Sequence, residues 1–208
     1  MSTDAAPGRR RVALVLARHH AAAAAPAGVD PAALAAAALA DSYEVVADLV
    51  EVTSGIAGGP EVADLLWPGD LALPELPVTE LARRLAPEAD ELVLVPADVP
   101  DLPALVLAKL FKVLHRTDLA VAPERGGPGC AALGLRLPLA PWLDDVVLDL
   151  DVDPAEQLRD LAPGRSAVQR TPDWHRLRTP DALRRLDPRL EGWEETRLLL
   201  TGAARLPW

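Results

Sequence analysis

The chain has 208 residues, half of them apolar, and a formal net charge of −10. Its positive charge comes almost wholly from arginine, since Lys109 and Lys112 are the only lysines. The length suits one domain, domains commonly running to roughly 100–200 residues, and the acidic balance argues against a general nucleic-acid binder, which carries a basic face. Cys130 is the single cysteine, so no internal disulfide can form, and a reducing cytoplasm fits.

The first ten residues read as a flexible tail. VALVLA (12–17) is a short strand; Arg18, His19 and His20 interrupt it before it reaches the roughly 7–15 apolar residues of a signal peptide. No run approaches the roughly 20 apolar residues of a membrane span, so a cytoplasmic protein without a membrane partner is expected. AAAAAPAGVDP (21–31) is a loop broken by Pro26, Gly28 and Pro31. Asp30 before Pro31 is a helix start, a capping carboxylate followed by proline at the first helical position. That helix should run to about Val50, with Leu34, Ala38, Val45 and Leu49 on its buried side.

VTSGIAGG (52–59) predicts a strand ending in glycines, EVADLL a short helix, WPGDLALPELP irregular chain and VTELARRLA (78–86) a helix. ELVLVPADVP is a strand that stops at Asp98. Asp101-Leu-Pro opens a helix to Leu114; LAVAP (119–123) and CAALGLRL (130–137) are strands around the turn ERGGPG. DVVLDLDVDP then reads as a strand running into the helix AEQLRDLAPG, SAVQR as a last short strand, and TPDALRRL and GWEETRLLL as closing helices. Strands alternate with helices, and the strands are continuous apolar runs. That is the pattern of an α/β fold, a Rossmann-like three-layer α/β/α arrangement whose mostly parallel central sheet is covered on both faces. The whole chain, 1–208, is expected to form one such domain.

In these sheets ligands bind beyond the carboxyl ends of the strands, which is where Asp98 falls. A carboxylate there can ligate a divalent metal, since Mg²⁺ commonly takes one or two such ligands plus substrate phosphates. It can equally accept backbone N–H groups in its own turn and help to start the next helix.

LVLVPADVPDLP resembles the strand-Asp-x-Pro segment of small GT-A-like nucleotidyltransferases and glycosyltransferases, among them 2-phospholactate guanylyltransferases and molybdenum-cofactor guanylyltransferases. APERGGPGCAALGLRLP is similar to that family's strand, Gly-Gly turn and strand ending in Gly-Leu-Arg, and TPDWHRLRTPDALRRL to its "PxWxDhDTPxDL" segment. The motifs come in the family's order, so the resemblance covers about residues 10–200. It implies that Asp98 is a catalytic, metal-holding residue for Mg²⁺ or Mn²⁺, that Gly126 and Gly127 let the backbone approach the nucleotide or the acceptor, and that the partners are a nucleotide or nucleotide-sugar and a small-molecule acceptor.

The departures fall on the groups that would do chemistry. The loop after the first strand lacks the family's glycines and lysine, leaving Arg18 and His19 or His20 as phosphate contacts, or else a plain solvated loop. The acids of "DhDT" align with Arg176 and Arg178, which would forfeit metal binding there and offer planar forks suited to phosphate oxygens. A rival alignment puts Asp151 and Asp153, from DVDPAEQL, in that second acid position. The longer separation from the Gly126-Gly127 turn, together with Trp174, favours the arginines. Trp142, which follows Pro141 after the Gly-Leu-Arg segment, is placed by the resemblance beside an acceptor pocket. Cys130 reads as a buried thiol. Two readings of function result: a metal-dependent nucleotidyl- or glycosyltransferase, or a catalytically degenerate member of the fold, a pseudoenzyme, that binds or regulates.

Overall fold

The computed structural model describes residues 9–18 and 20–203. Of the expected N-terminal tail, 1–8 lie outside the described residues; Arg9 and Arg10 bond to Glu91 and Asp90. Seven strands form one sheet in the order β3-β2-β1-β4-β6-β5-β7. They are β1 (Arg11–Leu16), β2 (Thr53–Ala57), β3 (Leu71–Leu73), β4 (Glu91–Pro96), β5 (Leu119–Pro123), β6 (Cys130–Arg136) and β7 (Val168–Arg170). All run parallel except β6, which is antiparallel to both β4 and β5. The carboxyl ends of β1, β2, β4 and β5 and the start of β6 therefore share one edge.

The helices are α1 (Pro31–Ala47), α2 (Val78–Leu85), α3 (Ala104–Leu114), α4 (Pro154–Gln157) and α5 (Glu194–Ala203). Successive side chains of a strand point to opposite faces, and the core divides accordingly. Ala13, Val15, Val93 and Val95 pack on one face with Leu39 and Val46 of α1 and Leu107 and Leu110 of α3. Val12, Leu14, Leu92 and Leu94 pack on the other with Leu81 and Leu85 of α2 and with Leu148, Leu150 and Leu158. A third apolar group ties the loop after β1 (Ala21, Ala24) to Leu34, Leu177, Trp193 and Leu200. This is the expected three-layer α/β arrangement.

Several expectations about elements change: α1 stops at Ala47 and not near Val50, only Pro154–Gln157 of the helix expected through AEQLRDLAPG forms, and TPDALRRL gives a 3-10 turn over Pro180–Arg185. The run DVVLDLDVDP (145–154) is not a strand. Leu148 and Leu150 are buried and Val147 is exposed, but β6, the strand before it in the chain, is already paired on both sides and offers it no free side to join. Its backbone crosses the sheet's end and gives Leu150 O to the Cys130 N–H at 2.8 Å. Residues 71–73, expected as irregular chain, add an edge strand to β2, anchored by the Asp70 carboxylate, which accepts from Ser54 Oγ at 2.7 Å and from the Tyr43 hydroxyl. Finally, α3 begins at Ala104 after Pro103, not at Asp101, because the Asp101 carboxylate is engaged elsewhere.

Candidate functional site

Beyond Pro96 the chain carries Asp98 across the functional edge with its side chain wholly buried. The segment 174–178 lies against it, the Leu177 N–H donating to Asp98 O at 2.8 Å. That contact sets Arg176 opposite the Asp98 carboxylate. Nε donates to Oδ1 at 2.7 Å and Nη2 to Oδ2 at 3.0 Å, a bidentate fork. Arg176 Nη1 donates to Leu150 O at 2.9 Å, to Cys130 O at 3.3 Å and to Asp151 Oδ1 at 3.0 Å. Burial works against the Arg176 charge, but the Asp98 carboxylate, bonded to it, and then Asp151 outweigh this and hold the guanidinium above its ordinary value.

Arg178 continues the network towards solvent, its side chain 24% exposed. Nη2 donates to Asp151 Oδ1 at 2.6 Å, and Nε stands 3.5 Å from Glu124 Oε2 and 3.9 Å from Asp98 Oδ2. Arg18, just past β1, ion-pairs with Asp149 at 3.2 Å, and that carboxylate also accepts the Asp151 N–H. The edge is therefore an interleaved array of arginines and carboxylates, sealed at Arg176 and half open at Arg178 and Arg18.

Of the residues expected at a site, Arg18, Asp98, Arg176 and Arg178 gather here. His19 lies outside the described residues, and His20 opens a 3-10 turn over 20–24. Gly126 and Gly127 form the exposed tip of the β5–β6 turn; Gly126 takes a left-handed φ of 76°, and its closest neighbour is Arg185. Gly129, which sequence reasoning passed over, matters more. A Cβ there would stand 2.5 Å from Leu150 O and 3.0 Å from Arg178 Nη2, so only glycine lets the backbone approach the guanidinium this closely. The rival alignments converge in space, since Asp151 meets Arg176 and Arg178. Asp153 points away, capping α4 through the Ala155 N–H at 2.9 Å and pairing with Arg170.

Glu124 and Asp149 were also missed. Glu124 was legible in principle, because it follows β5 at its carboxyl end as Asp98 follows β4. Beside this array, Trp174 Nε1 donates to Asp101 Oδ1 at 3.1 Å, and His175 Nε2 lies 3.1 Å from the same oxygen. Segments 98–101 and 174–178 are thus matched side chain by side chain. Trp142 sits at the opposite edge of the sheet, donating from Nε1 to Asp118 at 2.9 Å, so it lines no part of this site. Cys130 is fully buried, and burial pushes its thiol far up, out of the range of a nucleophile at neutral pH.

A divalent cation does not fit the array as it stands. It needs free oxygen ligands, yet both Asp98 oxygens accept from Arg176, and among the described residues no group of three or more His, Cys, Asp or Glu is placed to hold a metal ion.

No protein-family model matches the chain, and no curated protein matches it in sequence. Solved structures do. A protein from Desulfovibrio desulfuricans, assigned as a nucleotide-diphospho-sugar transferase, superposes with a TM-score of 0.68 at 19% identity, covering 94% of this chain and 97% of its own. CMP:2-keto-3-deoxy-manno-octonic acid synthetase, solved with CTP, gives 0.52 at 13% identity, covering 85% and 96%. A Mycobacterium tuberculosis protein solved in complex with manganese gives 0.50 at 16% identity, covering 86% and 98%. The chain has the fold of nucleotide-diphospho-sugar transferases and cytidylyltransferases.

Proposed function

We propose that this protein binds a nucleotide or nucleotide-sugar beyond the carboxyl edge of its sheet, and that it belongs functionally with the nucleotidyl and glycosyl transferases whose fold it has. One observation carries the reading: Arg18 and Arg178, both partly exposed and linked through Asp149 and Asp151, stand at the edge where open parallel sheets bind ligands, Arg178 beside Gly129. Arginine forks match phosphate oxygens in shape and charge. The partners are then a nucleotide or nucleotide-sugar and, for transfer, a small-molecule acceptor.

The test is a calorimetric and thermal-shift titration of the full chain with nucleoside triphosphates and nucleotide-sugars. A ligand at 100 times its Kd stabilises the folded state by about 2.7 kcal/mol, which such a titration resolves. Saturable binding that weakens at least tenfold in Arg178→Ala is the expected outcome. Silence across the panel sinks the proposal.

A second reading has its own support. The bidentate Asp98–Arg176 pair removes the carboxylate that a metal-dependent transferase would present, and so favours a binding or regulatory role with catalysis lost. The two part on turnover: a donor that binds but is never consumed with any acceptor supports the second.

A further inference from the structure

Fold neighbours include a protein solved with manganese, whereas here the acidic groups of the edge are already neutralised by the chain itself. Arg176 is buried to 2% exposure and spends its three nitrogens on Asp98, Asp151 and the Leu150 and Cys130 carbonyls. Arg178 differs. It reaches Asp151 through Nη2, but its Nε, although 3.5 Å from Glu124, has no acceptor at hydrogen-bonding geometry among the described residues. One guanidinium is sealed between acids, while the other is anchored at Nη2, has its unpaired Nε buried, and leaves 24% of its side chain exposed.

We infer that Arg176 and Arg178 are the resident cations of this edge, so that a phosphorylated ligand is held there without a divalent metal. Together they carry the formal charge of one such ion. Unlike the ion they cannot dissociate, and an arginine keeps its proton across the accessible pH range. Arg176 neutralises Asp98, which would otherwise keep only the longer ion pair to Arg178 Nε at 3.9 Å, and Arg178 meets the phosphate. Gly129, with no Cβ, is what lets its own backbone approach both Leu150 O and the Arg178 guanidinium. The inference rests on the proposed ligand class only in its second half; the first half, that the cation position is taken by protein, concerns the chain alone.

Two sets of measurements separate these halves. In the first, Mn²⁺ alone is titrated into the full chain, read by electron paramagnetic resonance and thermal shift, with no nucleotide present. The wild type is expected to show no saturable binding and no stabilisation. Arg176→Gln, which uncovers Asp98, should gain several degrees in Tm from Mn²⁺, and Arg176→Lys, which keeps a cation, should not. Saturable Mn²⁺ binding by the wild type that is lost in Asp98→Asn overturns the inference, and so does a folded Arg176→Gln that ignores the ion. If Arg176→Gln does not fold, the wild-type titration decides.

In the second set, inorganic pyrophosphate is titrated in EDTA and then in Mg²⁺. Binding in EDTA, weakened at least tenfold by Arg178→Ala, is expected. Binding that appears only with Mg²⁺ overturns the metal-free reading. Absence of pyrophosphate binding in both buffers overturns the phosphate-contact role of Arg178 and counts against the proposed ligand class, leaving the resident-cation half to the Mn²⁺ result.

Discussion

Asp98 and Arg176 are separated by 78 positions in the chain and bonded by a two-pronged contact in the fold. Taking either charge out of water is expensive, and the pair is tolerable only because every prong and both flanking carbonyls are used. Removing one partner is therefore costlier than removing both. Asp98→Asn should lower stability by about 3–5 kcal/mol in urea unfolding, whereas Asp98→Leu combined with Arg176→Met should cost clearly less than the two single changes summed. Additive losses would mean the two residues do not act as a pair. Cys130, adjacent in the same layer, makes a simpler prediction. Buried, and with its thiol pushed up by that burial, it should react with a thiol reagent only after denaturant opens the fold. Rapid labelling of native protein would contradict its placement.

At the level of elements, the C-terminal helix is docked by one residue of the first. Asp41 of α1 is buried and accepts the Glu195 and Thr196 N–H groups at 3.0 and 2.8 Å, satisfying open donors at the start of α5. Burial pushes its carboxyl up to about 6, the Thr196 and Glu195 bonds offsetting this only in part. A raised acid favours the protonated native state. Its contribution is fully present below the unfolded value near 4 and is lost as pH rises through about 6. The stability of wild type relative to Asp41→Asn should therefore grow on going from pH 7 to pH 4, by at most about 3 kcal/mol. A difference flat in pH would remove Asp41 as the titrating latch. The β2–β3 edge offers a second test. A Cβ on Gly55 would stand 2.3 Å from Leu71 O, so Gly55→Ala must push the edge strand away and should cost about 1–3 kcal/mol in a denaturant melt.

Across the whole molecule a single sheet runs from β3 to β7, with helices and apolar groups covering both of its faces. Such continuity predicts one cooperative transition, far-UV and near-UV circular dichroism giving the same midpoint; two separated midpoints would mark independent folding units. No helix among the described residues is long and apolar enough to cross a membrane. Continuous apolar runs such as VALVLA and LVLVP and the intervening helical spans made the parallel, two-faced sheet legible in advance, because burial on both faces leaves a strand few polar positions. The position of Asp98 at the sheet's carboxyl edge was legible for the same reason, since a strand's end can be read from where its apolar run stops.

What the linear order could not contain was pairing. Whether 145–154 pairs as a strand beside β6 depends on whether β6 has a free side, which is decided by β4 and β5 and not by the run itself. Whether Arg176 or Asp151 takes the second acid position looked like a choice between alignments. The fold places both at Asp98's edge, because segments distant in the chain cross the same end of the sheet. The sequence by itself determined most of the elements, the layer arrangement and the placing of Asp98 at the carboxyl edge of the sheet, all properties of local periodicity and strand termini. Only the tertiary structure decided that the carboxylate at that edge is closed by a guanidinium, because that depends on which distant side chain arrives within 3 Å.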